Sequence, residues 1–139
     1  MTRAMGLDVG TRTIGIALSD ETGQIAGPLT TLRRKALEKD VARVLELARK
    51  HDVDLIVVGM PLEMSGRAGR SARWVQGFVE ALNEEWMGTL ETWDERLSTV
   101  AAERMLLEAN LRRDHRKKVI DQVAATVILQ NFLDSRNHP

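Results

Sequence analysis

One acidic residue near the N-terminus stands where a carboxylate needs an explanation. Asp8 lies in the middle of an apolar run, where an ionised side chain is costly unless it is paired or bound to a metal. In a strand its neighbours on the same face would be Gly6 and Gly10, whose bare backbone leaves room for a cation and a phosphate. The competing explanation is a capping or salt-bridged aspartate at a strand end, which the two glycines disfavour.

Two adjacent acids, Asp94 and Glu95, close a predicted strand over residues 89–94. Ligands gather at the ends of strands in α/β sheets, so either acid could serve a site. Alternation along the strand does not decide which of them points inward. An equally good explanation is that both pair with Arg96 or with neighbouring cations on the surface.

A fourth acid, Asp121, falls in the first turn of the predicted last helix. The helix dipole favours a carboxylate there, which is by itself a sufficient structural explanation. The same residue shares a helical stripe with Ala125, Ile128 and Phe132, so it is predicted to face the protein body. Two consecutive alanines on this helix would let it approach the sheet closely and bring the carboxylate near the first strand.

Carboxylates that converge repel one another unless divalent cations supply compensating charge. The chain has no cysteine, and His51, His115 and His138 show no ligand spacing, so carboxylate oxygens remain as ligands. Mg²⁺ or Mn²⁺ fits such an oxygen-only set. Two ions about 4 Å apart can activate a water, stabilise the leaving 3′ oxygen and hold the scissile phosphate in line. The predicted reaction is hydrolysis of a phosphodiester bond.

Basic residues form clusters, although 20 basic and 20 acidic residues cancel over the chain. Any one cluster is more readily explained as a solvated face, but clusters around candidate acids favour phosphate contacts. The chain has few aromatic residues, so base stacking is predicted to be minor, and Trp74, Trp86 and Trp93 are predicted to be core residues. The candidate nucleic-acid-binding cations are Arg12, Arg67, Arg70, Arg73, Arg96, Arg112, Arg113, Arg116, Lys117 and Lys118.

The elements that must position these residues follow the order β-β-β-α-β-α-β-α-α. Periodicity predicts strands over residues 4–10, 13–19, 25–32, 54–59 and 89–94, and helices over about 37–51, 75–86, 98–110 and 119–134. Residues 60–69 are predicted to be a mobile loop and the basic residues 111–118 to interrupt the last two helices. A hairpin meander followed by right-handed crossovers gives a mixed five-stranded sheet flanked by helices.

Length and composition set the class. The 139 residues are predicted to form one domain, because two domains would each be too small for a self-sufficient core. No apolar run is long enough to span a bilayer and no secretory signal is visible, so a cytoplasmic location is expected.

Four blocks of sequence occur in a distinctive order. They are Gly6-Leu-Asp-Val-Gly10 with Ile14-Gly-Ile-Ala-Leu-Ser-Asp20, Val58-Gly-Met-Pro-Leu62 with Met64, Gly66 and Gly69, Asp94-Glu-Arg-Leu-Ser-Thr99, and Ile120-Asp-Gln-Val-Ala-Ala125 with Ile128-Leu-Gln130. In order and spacing these blocks resemble the YqgF/RuvX family, which has the ribonuclease H-like fold. The resemblance spans nearly the whole chain.

The resemblance implies a metal-dependent nuclease. It assigns Asp8, Glu95 and Asp121 to the family's catalytic, metal-binding acids and leaves Asp94 out. Most members carry Lys-Arg where this chain has Arg12-Thr13. The related RuvC resolvases place a second acid on the last helix where Ala124 stands here, so the resemblance identifies no fourth ligand.

The substrate stays open between two nucleic acids linked to the family. One is the 5′ end of precursor 16S ribosomal RNA, and the other is the four-way Holliday junction, for which a homodimer is expected. A different hypothesis is an assembly factor that binds ribosomal precursors without cutting. A third, an actin-like phosphotransferase, is suggested by Asp8-Val-Gly-Thr-Arg-Thr13, but length disfavours it because such enzymes need two domains of this type, and no Walker A sequence is present.

Overall fold

The computed structural model describes residues 3–63, 65–97 and 113–137, with side chains from residue 120 onward in the last range. The helix predicted over residues 98–110 lies outside the described residues, as do Met64 and Arg112. The backbone alone is described for Arg113, Arg116, Lys117 and Lys118. Within these ranges no helix has the length and apolar character needed to cross a bilayer.

Five strands form one sheet in the order β3-β2-β1-β4-β5. The strands are β1 (Arg3–Val9), β2 (Thr13–Ser19), β3 (Ala26–Arg33), β4 (Val53–Met60) and β5 (Thr89–Asp94). β1, β2 and β3 form an antiparallel meander, whereas β4 runs parallel to β1 and β5 runs parallel to β4. The predicted mixed sheet is confirmed.

In the described part of the chain, three helices cover the sheet. They are α1 (Leu37–Lys50), α2 (Arg70–Glu85) and α3 (Arg113–Asn137), and a single 3₁₀ turn (Glu95–Leu97) follows β5. α1 and α2 pack on one face against a core of large apolar side chains, among them Met5, Leu7 and Ile56. α3 packs on the other face against Ala17 and Val57. The faces alternate because successive side chains of a strand point to opposite sides.

Small residues let α3 lie unusually close to the sheet. A Cβ atom placed on Gly6 would stand 2.7 Å from the Cβ of Leu129 and 2.9 Å from the carbonyl oxygen of Ala125. Ala124 and Ala125 are fully buried in the same contact. Because the strand has glycine and the helix has alanine at this contact, the helix backbone packs almost directly against the strand backbone, with no layer of large side chains between them.

Two helices include residues well before their predicted starts. α3 includes residues from Arg113 onward rather than from about Val119, so the described part of the basic stretch belongs to this helix. α2 begins at Arg70 rather than near Val75. Arginine and lysine are good helix formers, but they carry no apolar periodicity, so the hydrophobic pattern started each helix too late.

Candidate active site

Asp8 occupies the centre of the site because β1 is the central strand. Its register partner on β2 is Gly15, and Leu7 pairs with Val58, which places Gly59 beside Asp8 one residue further along β4. Asp8 is 8% exposed and points to the α3 face, as Gly6 does. A carboxylate on this face is therefore flanked by bare backbone on both sides.

Asp121 reaches the site from α3. A Cβ on Gly15 would lie 2.0 Å from the backbone oxygen of Asp121, so the helix backbone rests directly on the strand that pairs with Asp8. The hydroxyl of Thr13 donates a hydrogen bond to Oδ2 of Asp121. Because α3 starts at Arg113, Asp121 lies in its third turn, and the prediction that it belongs to the first turn is wrong.

Glu95 reaches the site from the end of β5. Its Oε2 would stand 3.0 Å from a Cβ on Gly59, so this carboxylate lies over the strand on the far side of Asp8. Trp93, two residues earlier, contacts Phe132 of α3 edge to face at 6.1 Å, which places this side of β5 against the same helix. Glu95 and Asp121 therefore flank Asp8 from opposite sides.

Asp94 points elsewhere. Its carboxylate accepts hydrogen bonds from Nε and a terminal nitrogen of Arg96 at 3.0 and 2.6 Å. These hydrogen bonds hold the pKa of the Asp94 carboxyl below its ordinary value, and the same contact raises the pKa of Arg96. Of the two adjacent acids, one is used in a surface ion pair and the other enters the site.

A cavity of about 380 Å³ opens between β1, α2 and α3. The three acids Asp8, Glu95 and Asp121 all line it, although they come from three different elements. Its remaining lining residues are Val9, Gly10, Thr11, Pro61, Arg70, Ser71, Trp74 and Val75. The tertiary structure thus brings the three candidate acids into one cavity.

The donors of this cavity fit a hard divalent cation. Carboxylate oxygens are the ligands that Mg²⁺ and Mn²⁺ prefer. Within the described residues, however, no three acidic or histidine side chains lie close enough together to hold one ion. The chemistry of the donors and the space of the cavity suit such a cation, although the carboxylates do not form a ready ligand cluster.

The predicted nucleic-acid-binding cations fall in several places. Arg70 lines the cavity, whereas Arg73, on the same helix, borders a separate cavity of about 470 Å³. Arg12 and Arg67 are exposed on loops. Arg96 is paired with Asp94, as described above. Among the described side chains, Arg70 is thus the candidate cation that shares a cavity with the acids.

Sequence reasoning missed two residues of the site. Trp74 was predicted to be a core residue, which is wrong, since it lines the cavity and is 39% exposed. It follows Arg70 by one helical turn, so an earlier start for α2 would have placed both on one face. Thr13 gave no signal, because its partner Asp121 is remote in sequence.

The chain matches the family model described as "RuvX: Holliday junction resolvase" over residues 2–135. A protein of Desulforamulus reducens named "Putative pre-16S rRNA nuclease" is 50% identical over 133 residues, covering 96% of this chain and 97% of that protein. A protein of the same name from Symbiobacterium thermophilum is 53% identical over 134 residues, covering 96% of this chain and 93% of that protein.

Two solved structures share the fold. RuvC of T. thermophilus in complex with a Holliday junction substrate superposes with a TM-score of 0.58 at 16% identity, covering 99% of this chain and 97% of that one. The Holliday junction resolvase of fowlpox virus gives a TM-score of 0.57 at 15% identity, covering 96% and 99%. At such identities the likeness speaks for the fold alone, and it confirms the predicted ribonuclease H-like architecture.

Proposed function

The chain belongs to the YqgF/RuvX family, and from that membership we propose that it is a metal-dependent endonuclease that processes the 5′ end of precursor 16S ribosomal RNA. The relatives' names support a nuclease role, and one such relative is 50% identical over 133 residues. The proposed location is the cytoplasm.

The observation that carries the proposal is the shared cavity of Asp8, Glu95 and Asp121. A nucleic acid carries negative charge, so three acids in a binding cavity oppose it unless cations are bound between them. Acids at this place therefore favour a hydrolytic site over a passive binding surface. A metal would also explain why a carboxylate, Asp8, is buried on the central strand of the sheet.

We propose that Asp8, Glu95 and Asp121 hold Mg²⁺ or Mn²⁺, with two ions expected. Bound divalent ions would supply Lewis acidity and lower the pKa of a bound water. The chain itself contributes the three carboxylates, and Thr13 orients that of Asp121. Residues that ligate a metal gain precision when a neighbouring group fixes their orientation in this way.

Other residues of the cavity would bind and orient the phosphate. Arg70 can donate two hydrogen bonds to phosphate oxygens, which positions the backbone without reading the base sequence. In the proposed reaction a water oxygen bonds to phosphorus and the bond from phosphorus to the 3′ oxygen breaks. The products carry a 5′ phosphate and a 3′ hydroxyl. Apolar contacts from Val9 and Val75 limit the access of other water molecules.

The test compares cleavage by the wild-type protein, Asp8→Asn and a matched control, Asp134→Asn. Asp134 is exposed near the end of α3, away from the cavity. Each protein receives Mn²⁺ and either a precursor 16S leader RNA or a four-way DNA junction. We expect the wild type and the control to cut the RNA, and Asp8→Asn to be slower by about 10²–10³-fold, the usual effect of removing one electrostatic contribution.

Three results would contradict the proposal in different ways. Cleavage of neither substrate with tight RNA binding would indicate an assembly factor. Cleavage that Asp8→Asn leaves unchanged would exclude this cavity as the active site. Cleavage of the junction alone would support the second candidate, a resolvase, which the description of the matching family favours. A resolvase cuts two strands symmetrically, so a dimer in sedimentation should accompany that result.

A further inference from the structure

Trp74 presents an aromatic surface at the edge of the acidic cavity. It lies one turn after Arg70 on α2, and both residues line the cavity that contains Asp8. More than a third of the tryptophan is exposed. A single exposed apolar side chain is ordinary, so exposure alone carries no inference. Its place beside three acids and an arginine is what calls for an explanation.

On one side the ring contacts a cation whose side chain is mostly shielded from water. The guanidinium carbon of Arg34 lies 4.5 Å from the ring centroid of Trp74. Nε of Arg34 donates to Asp40 at 2.7 Å, and a terminal nitrogen donates to the carbonyl oxygen of Gly10 at 3.0 Å. Asp40 is 1% exposed and also accepts from the backbone of Lys35. Arg34, Asp40 and the end of β1 together fix the ring orientation.

This support makes Trp74 a preorganised surface. Cation–π attraction strengthens when the cation is shielded from water, and Arg34 is only 12% exposed. A rigid aromatic side chain loses little conformational entropy when a ligand stacks on it. Because Gly10 also lines the cavity, the network that orients Trp74 is joined to the loop that follows Asp8.

We propose that Trp74 stacks with an unpaired nucleobase of the substrate next to the phosphate that is cut. The inference rests on the proposed function, because it requires a nucleic acid in this cavity. Aromatic side chains stack with any base, so the contact is tolerant of sequence but requires a base that is free of its helical neighbours. The substrate at this position is therefore single-stranded, and base stacking is a larger contribution than the sequence predicts.

The experiment measures binding and leaves cleavage aside. A fluorescently labelled single-stranded RNA and its fully paired duplex are titrated with the wild type, Trp74→Leu and Trp74→Phe in Ca²⁺, which takes the same oxygen ligands as Mg²⁺. Ile25→Ala is the matched control, because Ile25 is an exposed apolar residue just before β3, outside the cavity lining. Thermal unfolding of each variant checks that it is folded.

We expect Trp74→Leu to weaken single-strand binding roughly 10-fold or more, the usual effect of losing one stacked base. Trp74→Phe should keep most of the affinity, since phenylalanine also stacks. Duplex binding and the Ile25→Ala variant should be unchanged. Equal losses on single strand and duplex, or no loss on either, would overturn the inference.

The outcome is separable from that of the proposed function. A selective loss of single-strand binding in a protein that cuts nothing would support the stacking contact and contradict the nuclease. RNA cleavage by the wild type together with unchanged single-strand binding by Trp74→Leu would support the nuclease and contradict the stacking contact. A single-stranded RNA that carries abasic nucleotides adds a direct control, because the wild type should bind it more weakly than the intact strand and Trp74→Leu should not discriminate.

Discussion

The two faces of the sheet are built from the same strands but have opposite character. The face under α1 and α2 carries large, fully buried side chains, including Leu7, Ile14 and Ile56. The face under α3 carries Gly15 and Asp8 at directly paired positions. One face consists of interlocking side chains, and the other brings a helix backbone almost onto the strands.

The difference shows how stability and chemistry are separated in a small protein. Burial of large apolar side chains stabilises the fold, whereas glycines contribute little apolar surface. On the α3 face the absence of large side chains at the glycines allows Asp121 and Glu95 to come within reach of Asp8. We therefore expect substitutions on the α3 face to impair the site, and substitutions on the opposite face to impair only stability where the side chain lies outside the cavity lining.

The largest effect is expected for Gly15→Ala. The new Cβ would stand 2.0 Å from a backbone oxygen of α3, and no rotamer change can relieve a backbone clash. The free energy of unfolding should fall by more than about 3 kcal/mol, at the upper end of overpacking costs, with activity lost as well. Gly27→Ala in β3 is the matched control, because nothing lies within 4 Å of its Cβ. Equal stabilities of the two variants in urea unfolding would refute the close approach of α3.

Leu82→Ala should lower the stability of the protein through the face under α1 and α2. Leu82 is a fully buried residue of α2, and truncating such a leucine costs about 3 kcal/mol. Cleavage per folded molecule, measured well below the unfolding temperature, should stay near the wild-type value because Leu82 lies outside the cavity lining. A clear loss of cleavage per folded molecule in Leu82→Ala would mean that the two faces are not independent.

Gly59→Ala should separate activity from stability. The atoms it would crowd are Cδ1 of Ile128 at 2.5 Å and Oε2 of Glu95 at 3.0 Å, both at the ends of flexible side chains. Stability should fall by only about 1 kcal/mol, since these ends can move. Displacing Glu95 should slow cleavage by about 10–100-fold. An unchanged rate would show that the position of Glu95 is not critical.

Thr13→Val should have a smaller effect on the same face. It removes the hydroxyl that donates to Asp121 while keeping the shape of the side chain. Loss of a partner that orients a metal ligand lowers metal affinity or activity by about 10–100-fold, and we expect about 10-fold here. Thr13→Ser keeps the hydroxyl and should restore most of the rate. Kinetics at several Mn²⁺ concentrations measure both quantities, and identical behaviour of the valine and serine variants would rule out this role.

The smallest effect is expected for Asp94→Asn, which tests how the two adjacent acids divide their roles. Because Arg96 lowers the pKa of Asp94 in the folded protein, the ion pair stabilises the fold above the ordinary pKa of 3.8. That contribution is lost as the pH falls below 3.8 and through the lowered value, because the carboxylate becomes protonated. The stability difference from wild type should be below about 1 kcal/mol at pH 7 and vanish in acid. A difference that grows in acid would contradict the pairing.

Local patterns were sufficient for much of the architecture. The five strands and the position of Asp8 between Gly6 and Gly10 follow from patterns among neighbouring residues, and the rules for connecting strands then give the mixed sheet. The same patterns failed at the starts of α2 and α3, where arginine and lysine continue a helix without apolar periodicity. That failure hid Trp74 and assigned Asp121 to the wrong turn.

The assembly of the site could not be obtained from local patterns. Alternation left Asp94 and Glu95 equivalent, and the family resemblance preferred Glu95 without giving a physical reason. The structure supplies a reason, since Arg96 pairs with Asp94 while Glu95 lies over Gly59. The sequence by itself determines the alternation of side chains along each strand. Which carboxylates meet depends on how closely α3 packs on glycines remote in sequence, and that distance is set by the packing of the whole molecule.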